Sequence, residues 1–129
     1  MFLFSGLHKS SAQNQLLQSS HNVIRFTEDT FNFGTMPYGA DASHKFGFQN
    51  ISKEKICIRE VKTSCGCTTP DYSTDPVKPH RKGFITAKYD SKRPGKFTKT
   101  MTVLVSDGEE IVLTIKGDIQ APEKVALPR

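Results

Sequence analysis

The sequence predicts an all-β domain, an antiparallel β-sandwich of about seven strands, and three observations carry that prediction. From residue 22 onward, short runs alternate apolar and polar residues, the two-residue period of a strand with one buried face. Val, Ile and Phe fill those runs, and Gly, Pro, Asn or Asp interrupts them at intervals of roughly 8 to 12 residues. No run of about ten residues carries the helical period instead. At 129 residues the chain has the usual size of one domain and can bury roughly two thirds of its unfolded surface. Its core therefore needs neither a disulfide framework nor a metal.

The elements follow in chain order. Residues 23–26 and 30–33 form the first two runs, the second closed by Phe33 and Gly34. In 42–49, Ala42, His44, Phe46 and Phe48 share one face, and Ser43, Lys45, Gly47 and Gln49 share the other. A polar turn at 50–55 leads into the strand 56–61. The connection 62–81 is long and irregular, with Cys65, Gly66 and Cys67 followed by Pro70, Pro76 and Pro79. Prolines at that density exclude a central strand there, because proline has no N–H to give to a ladder. Alternation resumes in 83–89 with Ile85, Ala87 and Tyr89 in phase, and after a turn at 90–95 the run 96–106 puts Phe97, Met101, Val103 and Val105 in phase. Asp107-Gly108, a strong hairpin dipeptide, joins that run to 110–116, where Ile111, Leu113 and Ile115 are in phase.

Three segments result: 1–21, a tail or partial signal peptide; 22–120, the sandwich; and 121–129, a C-terminal tail with Pro122 and Pro128. The first opens on an apolar run and places Ser10, Ser11 and Ala12 ahead of Gln13, the small residues a signal peptidase reads. Ser5 and Gly6 break the apolar run and no cation precedes it, as in the stump of a longer signal. A periplasmic or extracellular location is the expectation. No stretch reaches the roughly 20 apolar residues that cross a bilayer as a helix.

The net charge is +5 and the isoelectric point about 9.2. The excess is local: residues 78–99 hold eight Lys or Arg against one acid, Asp90. Arg81, Lys92, Arg93 and Lys96 of this stretch are candidate contacts for an acidic surface. A solvated sandwich face and loop rim is the preferred reading of this charge, since outward positions must be polar. Nucleic acid is disfavoured as the partner, because Phe84 is the only aromatic in the outward register and single strands need stacking platforms.

Catalytic constellations are absent. No Ser-His-Asp order, carboxylate pair, phosphate loop or dinucleotide fingerprint falls in a supporting context, and His44, in phase with Phe46, reads as a partly buried sandwich residue. Cys65 and Cys67 form the only compact pair of soft ligands, and three readings stay open. They are a tight turn with the sulfurs packed as small hydrophobes, a readily reduced Cys-x-Cys disulfide with Gly66 supplying backbone freedom, or two thiolates for Cu(I) or half of a zinc site. The first is preferred, and no cofactor or metal site is predicted. Cys57 is out of phase with Ile56 and Ile58 and faces away from them.

The series FTEDTFNFGTM at 26–36, EVKTSCGCTTPDYSTDPVKP at 60–79, YDSKRPGKFTKTMTV at 89–103 and LTIKGDI at 113–119 resembles the bacterial domain-of-unknown-function family 1573, common in Bacteroidetes. The resemblance runs over about residues 24–119. It implies an immunoglobulin-like sandwich akin to the Hydin-type and major-sperm-protein domains, a signal peptide ahead of the domain, and no established activity. His80-Arg81 departs from a usual Pro-Gly turn, Lys92 from a frequent glycine, and Cys57 is an extra cysteine.

The combined expectation is a non-catalytic, exported, immunoglobulin-like structural or protein-binding module. Its partner is expected to be another protein, with an acidic polymer second, and the loop 63–82 is the expected contact. The alternative is a thiol-redox or copper-binding protein built on Cys65 and Cys67.

Overall fold

A computed structural model describes residues 23–122. The segment 1–21, and all but the first two residues of 121–129, lie outside the described residues. In chain order the strands are β1 (Ile24–Phe26), β2 (Thr30–Met36), β3 (Ala42–Asn50), β4 (Ile58–Thr63), β5 (Thr68–Tyr72), β6 (Lys82–Tyr89), β7 (Gly95–Val105) and β8 (Glu110–Ile119). One sheet has the order β1-β3-β6-β5 and the other β2-β8-β7-β4, and they pack face to face as an immunoglobulin-like sandwich. There is no helix among the described residues.

The predicted alternation is what fills the space between the sheets. Phe46 and Phe48 of β3, Ile85, Ala87 and Tyr89 of β6, Met101, Val103 and Val105 of β7, and Ile111, Leu113 and Ile115 of β8 are all buried. Each large apolar side chain so buried contributes roughly 1.5–3 kcal/mol relative to exposure. Two stacked ring pairs bridge the sheets: Tyr89 on Phe97, with centroids 3.7 Å apart, and His44 on Phe31, at 3.6 Å.

Four features depart from the sequence reading, each for a local reason. First, β1 and β2 act as one strand that changes sheets: β1 pairs antiparallel with β3, and β2 pairs parallel with β8. Thr27 N–H donates to Gly47 O and Thr114 N–H to Asp29 O, so the hand-over falls at 27–29. Second, Gly34 is a bulge within β2 and not its end. The register with β8 shifts between Asn32 and Thr35, Gly34 has φ +72°, and its N–H donates to Asn32 Oδ1 at 2.8 Å.

Third, the connection 62–81 contains a strand, β5, raising the count to eight. Its Pro70 lies opposite Ala87, but β5 is an edge with β6 as its single neighbour, so the missing N–H breaks no inner ladder. Fourth, the strand expected at 56–61 begins two residues later. Ile56 is drawn off into an isolated bridge with Val77, and a register shift between Ile58 and Glu60 starts the pairing with β7. Cys57, between the buried Ile56 and Ile58, is half-buried, in keeping with its phase, and forms no disulfide.

Strand directions sort the connections to the two ends of the sandwich. Links 37–41, 64–67 and 90–94 lie at one end, and 51–57, 73–81 and 106–109 at the other. At the second end His80, at the site of the unusual turn, takes φ +69°, a left-handed conformation that a glycine adopts without strain.

Candidate functional site

The link 64–67 crosses from one sheet to the other, from the end of β4 to the start of β5. Ser64 N–H donates to Thr100 O at 3.0 Å, and Thr100 N–H donates to Ser64 Oγ at 3.1 Å, anchoring one side on β7. On the other side Asp90 N–H donates to Cys67 O at 2.9 Å, tying the link to the turn after β6. Cys65 and Cys67 are joined by a disulfide with their Cα atoms 5.5 Å apart, and in this state they carry no thiolate to offer a soft metal. Cys67 N–H donates to Cys65 Sγ at 3.3 Å. Both cysteines are half-buried, and Cys67 packs against the core.

Gly66 differs from what its spacing suggested. It is exposed, its φ is not in the left-handed region, and an added Cβ would meet no atom within 4 Å. Neither backbone conformation nor packing requires glycine there.

Strand register supplies the neighbours. Thr63 lies opposite Met101, and Ser64, the residue before Cys65, is hydrogen-bonded to Thr100, the residue after Lys99. Thr68 lies opposite Tyr89, which sets Cys67 beside Asp90. Lys99 occupies the inward phase between Phe97 and Met101, is half-buried, and has no ion-pair partner among the described residues. The alternation of β7 skips from Phe97 to Met101, and that gap was the legible sign of this lysine.

The basic stretch 78–99 is divided by the fold. Lys82 and Lys88 look out from the sheet of β6, while Lys96 stands on the other sheet, opposite Asp118 of β8. Lys92 and Arg93 lie in the turn between, where Lys92 N–H donates to Asp90 Oδ1 and the Arg93 guanidinium lies 3.7 Å from Asp90 Oδ2. Cys65, Gly66, Cys67, Lys92, Arg93 and Lys96 thus gather at one end. Arg81 does not join them. It precedes β6 at the opposite end, where its carbonyl accepts the N–H of Asn50.

The link 37–41, which was not singled out in the sequence, completes this end. Gly39 N–H donates to Ser91 O, and Ser91 Oγ donates to Ala40 O, while Tyr38 is exposed. A depression of about 530 Å³ between this link and the β6–β7 turn is lined by Asp41, Lys88 and Lys92 among others. His44 is half-buried as expected, with Phe31 on its face, Phe46 at its edge and Nε2 at 2.6 Å from Glu28 Oε2. Phe84, 57% exposed, stands on the outer sheet face with Lys45 Nζ 5.2 Å from its ring centre.

Thr68, next to Cys67, is buried, and its Oγ1 has no hydrogen-bond partner among the described residues. Burying an unpaired hydroxyl costs roughly 1–3 kcal/mol. Thr68→Val, similar in shape, is expected to stabilise the fold by about 1 kcal/mol, read as a higher urea midpoint at unchanged slope. A lower midpoint would mean that the hydroxyl has a partner.

Comparison with known proteins agrees with this architecture. A family model described as "Protein of unknown function (DUF1573)" matches residues 24–119. A comparison with curated proteins finds no match. Among solved structures, a protein of unknown function from Porphyromonas gingivalis W83 superposes with a TM-score of 0.65 at 12% identity, over 74% of this chain and 46% of that one. The chain therefore spans less than half the length of that protein. PapD-like domain 7 of human CEP192 superposes with a TM-score of 0.66 at 7% identity, over 78% of this chain and 87% of that one. The Caenorhabditis elegans major-sperm-protein family member WR4 gives 0.53 at 13% identity, over 78% and 100%. Identities this low speak to the fold alone. No helix among the described residues is long and apolar enough to cross a membrane.

Proposed function

The chain belongs to the DUF1573 family, and from that premise we propose that it is a non-catalytic, exported module that binds another protein through the end of the sandwich carrying Cys65, Gly66, Cys67, Lys92, Arg93 and Lys96. One observation carries the reading. Links 37–41, 64–67 and 90–94, from three different strand pairs, are tied by hydrogen bonds into one surface at one end. Loops held so on a rigid sandwich present a fixed shape, which is what a recognition surface requires. The cations around it favour a partner with an acidic face and make its association sensitive to salt. Arg81, at the far end, is excluded from this contact.

Site-specific photo-crosslinking in the native host tests the reading. A crosslinker at position 66 or 92 is expected to capture the same single protein, and one at 81 or 107 is expected to capture nothing at comparable yield. Lys92→Glu with Arg93→Glu should lower the association rate by roughly tenfold, through lost steering. Equal capture from both ends, or none from either, overturns the contact. Export is checked by fractionation of cells making the full chain, and retention in the cytoplasm refutes it.

A further inference from the structure

We infer that the Cys65–Cys67 disulfide is a thiol-exchange site, opened by a thiol of a partner protein, with Cys65 leaving as the thiolate. This goes beyond the contact surface, and a small thiol tests it without any partner, so the two readings fail separately.

The fold has little use for this bond as a brace. It links residues only two apart, a loop so short that closing it removes little entropy from the unfolded chain. Both sides of the link are already anchored by main-chain hydrogen bonds, Ser64 to Thr100 and Asp90 to Cys67. Opening it therefore leaves the crossover in place.

The surroundings distinguish the two sulfurs. Cys65 Sγ already accepts the Cys67 N–H, and the neighbours of Cys65 and Lys99 in the chain, Ser64 and Thr100, are hydrogen-bonded to one another; Lys99 is a half-buried cation with no ion-pair partner among the described residues. A donor and a cation both favour a thiolate, and a better-stabilised thiolate leaves faster. Cys67 has a different setting, packed on the apolar core. Between them, Gly66 is exposed and carries no side chain.

The step balances as an exchange. A partner thiolate attacks Cys67 Sγ, and a mixed disulfide forms there. The Cys65–Cys67 bond breaks, and its electron pair leaves on Cys65 Sγ. A second partner thiolate then attacks the partner's own sulfur in the mixed disulfide and releases Cys67 as thiolate. The partner departs as a disulfide, oxidised by two electrons, and the Cys65–Cys67 pair takes up two protons as a dithiol. The reverse sequence reoxidises it.

The test uses the full chain carrying Cys57→Ser and reduced glutathione in excess over the oxidised form. Acid quenching, alkylation and peptide fragmentation then locate the glutathione. The expected result is complete opening with circular dichroism unchanged, and early mixed disulfide on Cys67 and not on Cys65. Lys99→Gln should slow opening by roughly tenfold, with Lys99→Arg restoring most of the rate, as a charge effect on the leaving thiolate requires. A pair that stays closed in that buffer, or opens only as the fold is lost, overturns the site. Equal labelling of both sulfurs, or no effect of Lys99→Gln in folded protein, overturns the assigned direction.

Discussion

Asn50→Ala is expected to lower the stability of the sandwich by about 3 kcal/mol, because it removes four hydrogen bonds made by one fully buried side chain and leaves a cavity in its place. Asn50 is the last residue of β3 and is fully buried. Its Nδ2 donates to Glu54 O and to Val77 O, each at 2.8 Å, and its Oδ1 accepts from Ser52 N–H at 2.9 Å and Ser52 Oγ at 2.7 Å. One side chain thus holds the links 51–57 and 73–81 together at the end remote from the cysteines. Alanine leaves two carbonyls without their donor and creates a cavity beside them. Asn50→Asp should be no milder, since a carboxylate cannot donate to either carbonyl. Urea unfolding reads the effect as a fall in midpoint, and for a domain of this size each kcal/mol also lowers the melting temperature by roughly 4–8 °C. A midpoint that barely moves would show that this polar cluster is not what closes the end.

Phe97→Ala is the second large effect, about 3–5 kcal/mol for a buried phenylalanine. Phe97 is 6% exposed, lies face to face with Tyr89 across the two sheets, and touches Phe33 at 6.3 Å between ring centres. Its ring edge also closes over Gly117, where an added Cβ would stand 3.0 Å from it. Losing the ring unseats Tyr89, which pairs with Thr68 at the root of the cysteine link and precedes the turn bearing Lys92 and Arg93. The variant should therefore unfold at lower denaturant and also expose backbone amides of 64–67 and 90–94 to faster hydrogen exchange. Phe97→Leu, which keeps much of the volume, should lose less than half as much. Unchanged exchange in those two links would separate the stack from the candidate site.

These residues mark where sequence reasoning reached its limit. The inward faces of β3, β6, β7 and β8 were legible because alternation is a local property and one buried sheet face imposes it. Asn50 was read as the start of a polar turn, since its identity gives no hint that the link 73–81 folds back over it. Pro70 argued against a central strand, and rightly so, but whether a strand can lie on an edge depends on the order of strands in the sheet. The cysteine motif was visible as a motif. Its place between two sheets, tied to β7 through Ser64 and Thr100 and to the β6–β7 turn through Asp90, depends on contacts far apart in sequence.

By itself the sequence determined the class of this protein: one small sandwich, with its inward residues, its Asp107-Gly108 hairpin and its Cys65-Gly66-Cys67 link. Periodicity and turn chemistry act over a few residues, so they can be read along the chain. Only the tertiary structure decided that the basic stretch 78–99 is not one patch, because β6 and β7 belong to different sheets: Lys82 and Lys88 look out from one, Lys96 from the other, and Lys99 lies in the inward phase. It also brought Lys92 and Arg93 to the cysteines and left Arg81 at the far end. Those relations follow from strand order and register between residues far apart in sequence, and local patterning does not encode them.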